Sequence, residues 1–417
     1  MNKIKKVRLK KAENLKKAGM DVYPAKVLRT HTNKEALSAK KASLVGRVRS
    51  IRGHGGSTFC HIEDESGQIQ VYFKKDNLKN YSLFVENIDI GDFIEVSGSM
   101  FKTKKGEKTL EVLKWRIICK TLLSLPEEWF GLKDVEERFR KRYLDLIFNS
   151  DIKKKFIKRS EIITKIRKFL DSNGFLEVET PMLQSLAGGA KARPFKTRLN
   201  ALNMDLYLRI APELYLKRLL IGGFEKVYEL NRSFRNEGMD REHNPEFTML
   251  EYYAAYWDYE KMMDFTEKLL KSVGVKGKFR KIEYSKIVKK DEKEAFAKIK
   301  EPTFVINHPI EISPLSKKID SKKVARFQLI VDGLEIANGF SELNDPVDQV
   351  ERFKAQEKLR KKGDKEAHQY DKDFVEALEY GMPPAAGIGI GIDRLVVYLT
   401  DSKTLREVLL FPTMKKK

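Results

Sequence analysis

The sequence predicts an α+β chain, with a small N-terminal β-barrel followed by a larger unit built from β-hairpins and helices. Three observations carry that prediction. Between residues 43 and 119, five strand-like runs accompany one helical run. From Val227 to Tyr253, and again from Phe327 to Ile336, apolar or alternating runs flank turn-rich residues, as in paired strands. Residues 153–172 carry Phe156, Ile163, Ile166 and Leu170 at helical spacing.

Composition sets the bounds. A chain of 417 residues holds two or three domains, and 41% hydrophobic with 34% charged residues describes a soluble globular protein. Lys and Arg outnumber Asp and Glu by 82 to 60, a formal charge of +22, which favours polyanionic partners. A surface that is merely lysine-rich would give the same sum. Two cysteines, Cys60 and Cys119, are too few for a disulfide framework or a zinc site and suit a reducing cytoplasm. The most apolar stretch, Ala385 to Thr400, is interrupted by Asp393-Arg394, so no run is expected to span a bilayer.

Residues 1–42 read as a basic extension. Its first 17 residues hold eight Lys or Arg and one Glu, without the apolar core of an export signal. It is expected to be a frayed, solvated helix, with a basic arm that touches RNA as the alternative. In residues 43–119 strands are expected near Leu44–Ile51, Ser57–Glu63, Gln68–Lys74, Asp92–Phe101 and Thr109–Cys119, with a helix near Asn77–Val85. The order βββαββ is that of an OB-fold barrel. Period-two phasing sends Cys60, Ile62, Ile69, Val71 and Phe73 inward. It leaves Phe59, His61, Gln70 and Tyr72 outside, flanked by Arg47, Arg49 and Arg52. Rings stack on unpaired bases, Gln reads an edge and Arg holds phosphate; a small barrel with incidental exposed rings would show the same pattern.

Residues 120–150 read as a linker, with Pro126, Trp129 and the charged run Val135 to Arg142. The unit at 151–417 opens with the amphipathic helix, ended by Asn173-Gly174. Phe175 to Thr180 is a strand stopped by Pro181. Gly188-Gly189-Ala190, with Arg193-Pro194-Phe195, marks a turn where backbone can approach a ligand. Glu213 stands where a helix begins, and on spacing alone it is a helix-dipole partner. Residues 254–300 are Lys-rich and weakly patterned.

Three stretches carry chemistry. In FRNEGMDREHNPEFTMLEYY, Phe234 to Tyr253, one strand face presents Phe247, Met249, Glu251 and Tyr253 in a row. Arg235 ends the partner strand, and Glu237, His243 and Asn244 lie in the loop between. In the second, Asp332-Gly333 signals a two-residue hairpin that pairs Val331 with Leu334 and places Gln328 and Glu335 on one face. Asn338, Phe340 and Glu342 then share a face. In the third, GIGIGIDRL from Gly387 to Leu395, glycines alternate with packing isoleucines before Arg394 opens a helix. GxGxG alone is not the dinucleotide fingerprint.

In this order the first and third stretches resemble motifs 2 and 3 of class II aminoacyl-tRNA synthetases, and the helix–strand–Pro181 unit resembles motif 1. The wording is nearest the lysyl-tRNA synthetases of subclass IIb, as are Lys141–Ile147 and the closing Leu409–Pro412. The resemblance implies a six- or seven-stranded antiparallel sheet flanked by helices behind an OB-fold anticodon-binding barrel. It implies a lysine–tRNA ligase that makes lysyl-adenylate from L-lysine and ATP, then charges the 3′ end of tRNA(Lys). The substrate's own carboxylate attacks, so no Ser, Cys or His nucleophile is needed. Among the residues it implies, Arg235 and Arg394 are catalytic. Glu237, His243, Asn244, Phe247 and Glu335 join them around ATP, with Phe247 and Arg394 sandwiching adenine. Gly189, Glu213, Arg235, Glu251, Tyr253, Asn338, Phe340 and Glu342 bind lysine, the paired acids Glu251 and Glu342 favouring a cationic side chain. Magnesium falls to Glu335 with Gln328 and Glu342. Gln328 stands where the family usually has Glu, so weaker or fewer magnesium ions are expected. Arg52, Phe59 and Gln70 read the anticodon, and Pro181 marks the interface of a cytoplasmic homodimer.

Strict alternation would put Glu335 opposite Asn338, Phe340 and Glu342, so a bulge is expected near Ala337–Gly339. The stretch at 254–300 is shorter than the helical insertion of the lysyl family. Alternatives are an aspartate or asparagine synthetase, a protein-lysylating relative like those that modify elongation factor P, and an inactive RNA-binding paralogue. The barrel argues against the second, since those relatives lack it.

Overall fold

The computed structural model describes residues 3–125, 134–364 and 366–415, and the chain divides into two compact units, Met1–Asp134 and Val135–Lys417. Pro126 and Trp129 lie outside the described residues.

In the first unit, helix α1 (Lys3–Lys17) and the short α2 (Asn33–Ala36) precede strands β1 (Lys41–His54), β2 (Ser57–Asp64) and β3 (Gly67–Lys74). Helix α3 (Tyr81–Asn87), β4 (Phe93–Lys102) and β5 (Lys108–Cys119) complete it. The strands close in the order β1-β2-β3-β5-β4. Cys60, Ile62, Ile69, Val71 and Phe73 are all buried, as their phasing requires. Helix α1 is not a frayed arm. Ala12 and Leu15 join the barrel core, and the Arg8 guanidinium donates to the Ile90, Thr121 and Leu123 carbonyls at 3.2–3.3 Å. Its apolar positions are few, which hid the docking face among the lysines.

The second unit starts earlier than residue 151. Helices α4 (Val135–Arg140) and α5 (Arg142–Phe148) occupy the expected linker. Arg142 is wholly buried, paired to Asp145 at 2.7 Å and donating to the Arg406, Leu409 and Leu410 carbonyls. Helix α6 (Ser150–Ser172) follows, its buried line running through Ile152, Ile162, Ile166 and Leu170, with Ile163 partly buried beside it. Then come β6 (Leu176–Glu177), β7 (Leu183–Gln184), β8 (Lys196–Leu199), β9 (Met204–Leu208) and α7 (Glu213–Ile221). Strands β10 (Lys226–Phe234) and β11 (Glu246–Ala255) form the first long hairpin.

The stretch at 254–300 is better organised than its lysines suggested. Helix α8 (Tyr259–Val273) buries Met262, Met263, Phe265, Leu269, Leu270 and Val273 against the sheet, at helical spacing. Strand β12 (Arg280–Glu283) and helices α9 (Tyr284–Ile287) and α10 (Glu292–Ala297) follow. Next are β13 (Thr303–Pro309), β14 (Lys323–Val331), β15 (Leu334–Ser341), α11 (Pro346–Lys361) and α12 (Lys372–Glu379). The chain ends with β16 (Ala385–Gly391), α13 (Ile392–Leu399) and α14 (Leu405–Val408).

The main sheet has eight strands, in the order β12-β13-β14-β15-β16-β11-β10-β6. It exceeds the expected six or seven because one short strand pairs in parallel at each edge, β12 on β13 and β6 on β10. All inner pairs are antiparallel. One face packs Ile388, Ile390, Leu250 and Tyr252 onto α6, α8 and α13. The opposite face carries the site.

Candidate active site

Strand register assembles the floor of the site from distant parts of the chain. Residues directly opposite in neighbouring strands share a face. One row crosses the sheet as Gln328, Asn338, Gly389 and Glu251, and the next as Arg326, Phe340, Gly387 and Tyr253. The Asp332-Gly333 turn has both residues at positive φ, 48° and 81°, and pairs Val331 with Leu334 as expected. The anticipated bulge is present but sits at Ile336. Leu329 pairs with Ala337 and Ile330 with Glu335, leaving Ile336 as the extra residue. That slip turns Glu335 to the same side as Asn338 and Phe340. The glycines of β16 are needed for space: a Cβ on Gly387 would lie 2.2 Å from the Tyr253 ring and 2.4 Å from Glu342 Oε1.

Over this floor lies one cavity of about 550 Å³. It is lined by Gly189, Glu213, Arg235, Glu237, His243, Asn244, Phe247, Glu251, Tyr253, Gln328, Glu335, Asn338, Phe340 and Arg394. Of the residues expected around ATP and lysine, Glu342 alone is not part of this lining.

At one end, the Arg235 guanidinium lies 5.1 Å over the Phe247 ring, and its Nε is buried without a hydrogen-bond partner. Burial works against its charge, and Glu237 and Glu335 pull it back. Arg394, third residue of α13, is anchored by donating to the Glu335 carbonyl at 3.0 Å, the Glu242 carbonyl at 3.3 Å and His243 Nε2 at 3.1 Å. His243 thus accepts through Nε2 and donates from Nδ1 to Asp240. Helix α13 is itself held by Asp393, which accepts from the Thr248 amide and pairs with Arg159.

The other end is acidic. Glu213, Glu251 and Glu342 are all buried. Glu251 accepts from the Tyr253 hydroxyl at 2.9 Å and, among the described residues, has no ion-pair partner. Burial and the neighbouring Glu213 push its pKa well above the usual carboxylate range. Glu342 does not pair with Glu251 across the pocket. Its carboxylate lies 2.5 Å from Lys217 Nζ, which also donates to Glu213 at 2.6 Å. One Glu342 oxygen is thus held in the Lys217 ion pair, and Oε1 is buried without a hydrogen-bond partner. Gly189, at φ +87°, brings the β7–β8 loop onto this end, where a Cβ would meet Glu213 Cβ at 2.9 Å.

Glu342 lies with Lys217 and Phe340 at the acidic end, and this placement does not fit a magnesium duty. Gln328 is clamped as well: its Oε1 lies 2.7 Å from His308 Nε2, and its Nε2 is 3.4 Å from Glu292. Burial and Arg326 push the His308 pKa down to about 3. Glu335 keeps a partly exposed carboxylate, 3.8 Å from Arg394 Nη1. No three His, Cys, Asp or Glu among the described residues form a metal cage. Magnesium is usually bound through one or two carboxylates plus substrate phosphates, so Glu335 fits a phosphate-borne ion.

On the barrel, Phe59 and Tyr72 meet at 4.7 Å with tilted rings and Tyr72 meets Phe101 edge-on at 6.0 Å, a half-buried ring cluster. Arg52 pairs across from Phe59 and is exposed. Gln70 donates to Glu107 and accepts from Thr109. Arg47 and Arg49 are turned elsewhere, Arg47 over Phe93 at 4.2 Å and Arg49 paired with Glu63 at 2.8 Å. Pro181 is exposed, beside exposed Leu176, Met182 and Leu183.

Sequence reasoning missed Lys217 and Arg326. Lys217 follows Glu213 by four residues on one helix, a spacing that announces an ion pair. Arg326 stands opposite Phe340 and donates to Asn338 Oδ1 at 2.9 Å, which only the bulged register reveals.

Comparison with known proteins agrees with this geometry. Residues 134–415 match the family model of class II tRNA synthetases (D, K and N), and residues 42–118 match the OB-fold nucleic acid binding domain. A lysine–tRNA ligase of Carboxydothermus hydrogenoformans is 48% identical, covering all of this chain and 98% of the relative. One from Pelotomaculum thermopropionicum is 47% identical, covering 100% and 95%, and one from Thermotoga maritima 43%, covering 100% and 97%. The first alignment runs over 481 positions, longer than this chain, so the relative carries internal segments absent here.

Proposed function

We propose that this chain, which belongs to the lysine–tRNA ligase family of class II tRNA synthetases, activates L-lysine with ATP and transfers it to tRNA(Lys) in the cytoplasm. The observation that carries this reading is Glu251. A buried carboxylate without an ion-pair partner, in the same cavity as Arg235, Phe247 and Arg394, calls for a cationic ligand beside a nucleotide site.

A lysine carboxylate oxygen attacks the α-phosphorus of ATP, forming the acyl–phosphate bond of lysyl-adenylate as pyrophosphate leaves. The tRNA terminal hydroxyl then attacks the carbonyl and AMP departs. The chain supplies position and charge. Arg235 bridges the lysine carboxylate and the α-phosphate, a two-point task suited to a guanidinium. Adenine enters between Phe247 and Arg394. Glu237 accepts from the adenine amine, while His243 and Asn244 contact the nucleotide. Glu213 and Gly189 hold the α-ammonium, Asn338 lies by the carboxylate, and Glu251, Tyr253, Phe340 and Glu342 surround the side chain. Glu335 would hold the magnesium that accompanies ATP, and the bound ion would supply charge that polarises the phosphates.

On the barrel, Phe59, Arg52 and Gln70 take unpaired anticodon bases, Gln70 exchanging Glu107 for a base edge. The exposed apolar residues around Pro181 support a homodimer, which light scattering would measure as twice the chain mass. An aspartate pocket would place a cation where Glu251 stands. Pyrophosphate exchange with each amino acid in turn tests the assignment: lysine alone should drive it, and exchange with aspartate or asparagine, or none, would overturn it.

A further inference from the structure

Resting on the lysine assignment above, we propose that Lys217 sets the charge capacity of the amino-acid pocket. By neutralising one of three buried carboxylates, it leaves room for a ligand with two ammonium groups and no more.

The buried charges around this end can be counted individually. Glu229, behind Glu251, is closed off by buried Arg209 at 2.5 Å and by the Thr180 hydroxyl. Glu213, Glu251 and Glu342 remain, and Lys217 is the one cation within ion-pair distance of any of them among the described residues. Lys217 has no exposed surface, touches two of the three acids, and has its ammonium 5.3 Å from the Phe340 ring and 5.9 Å from Phe374. Three buried carboxyl groups against one cation leave two of them without a charged partner of their own. L-Lysine brings two ammonium groups, and Arg235 matches its carboxylate.

A buried ammonium is kept charged only by such partners. Burial alone would strip the Lys217 proton, and Glu213 and Glu342 restore it. Lys217 in turn works against the protonation of both acids, which burial favours. Lys217 touches no reacting atom. It is a positioning residue, holding Glu342 by one oxygen while Oε1 keeps no partner, and fixing Glu213 at the start of α7.

The test compares full-length wild type with Lys217→Ala in pyrophosphate exchange. The expected result is a KM for lysine at least tenfold higher, with the KM for ATP within twofold. Adding n-propylammonium, which fits the vacated stem and restores a cation, should recover at least threefold of the loss in the variant and none in wild type. A wild-type KM for lysine in the variant, or a deficit that n-propylammonium leaves unchanged, would overturn the proposal. Should Lys217→Ala fail to fold, Lys217→Met fills the stem without charge, and it must show the same split between lysine and ATP. Wild-type exchange with lysine tests the underlying assignment separately, so the two can fail independently.

Discussion

Replacing Gly387 by Ala tests the pocket through one methyl group. Gly387 has no positive φ, so the cost is spatial and not conformational. The added Cβ would lie 2.2 and 2.4 Å from Tyr253 ring carbons and 2.4 Å from Glu342 Oε1. Comfortable contact needs about 3.5 Å or more, so the Tyr253 ring must retreat by roughly 1 Å. It has little room to do so, being packed among Leu214, Leu216, Phe353 and Phe374. Its hydroxyl also donates to Glu251 at 2.9 Å, a bond that such a retreat breaks. Overpacking of this kind costs about 1–3 kcal/mol of stability. A displacement of about 1 Å in a site costs on the order of 100-fold in rate. Thermal melting should therefore fall by several degrees, and lysine-dependent exchange should drop by one to two orders of magnitude, chiefly through lysine. Gly389→Ala is the stability control. Its Cβ meets only Met249 and Glu251 atoms at 3.6 Å and beyond, so melting should match wild type. A Gly387→Ala protein with wild-type melting and wild-type KM for lysine would refute the packing argument.

Other substitutions separate the remaining assignments. Glu251→Gln should weaken lysine by about 2–5 kcal/mol, because the ligand ammonium loses its charged partner. Since the Glu251 pKa is raised, wild-type affinity should improve as pH rises and the carboxylate ionises, a slope the Gln variant lacks in exchange assays at a series of pH values. Gln328→Glu should lower the magnesium concentration needed for half-maximal exchange; an unchanged requirement would show that this position has no part in holding the ion. Phe59→Ala should cost about 1–3 kcal/mol in tRNA binding, read as a raised KM in aminoacylation, while lysine-dependent exchange stays intact. Loss of both activities would count against placing Phe59 on a separate tRNA surface.

Much of this protein is determined locally and could be read directly from its residues. Period two in β2 and β3 identified which side chains enter the barrel core, since alternate Cβ atoms must face opposite ways. Asp332-Gly333 announced its hairpin because few residue pairs accept two positive φ angles. Strand phasing put Phe247 and Glu251 on one face with Arg235 at the end of the partner strand, the family resemblance added Arg394, and the four line one cavity. Long-range contacts decided the rest. Arg142 looks like part of a charged linker until the Arg406, Leu409 and Leu410 carbonyls surround it. The bulge had to exist for Glu335 to join Asn338, but its position at Ile336 follows from β14 pairing that no local pattern specifies. The partnership of Glu342 with Lys217, in place of Glu251, depends on α7 packing over β10 and β11, which brings together residues 125 positions apart. Local sequence constrains backbone and face because its physics acts over a few bonds. Which buried charge meets which is decided only when the fold removes both from water.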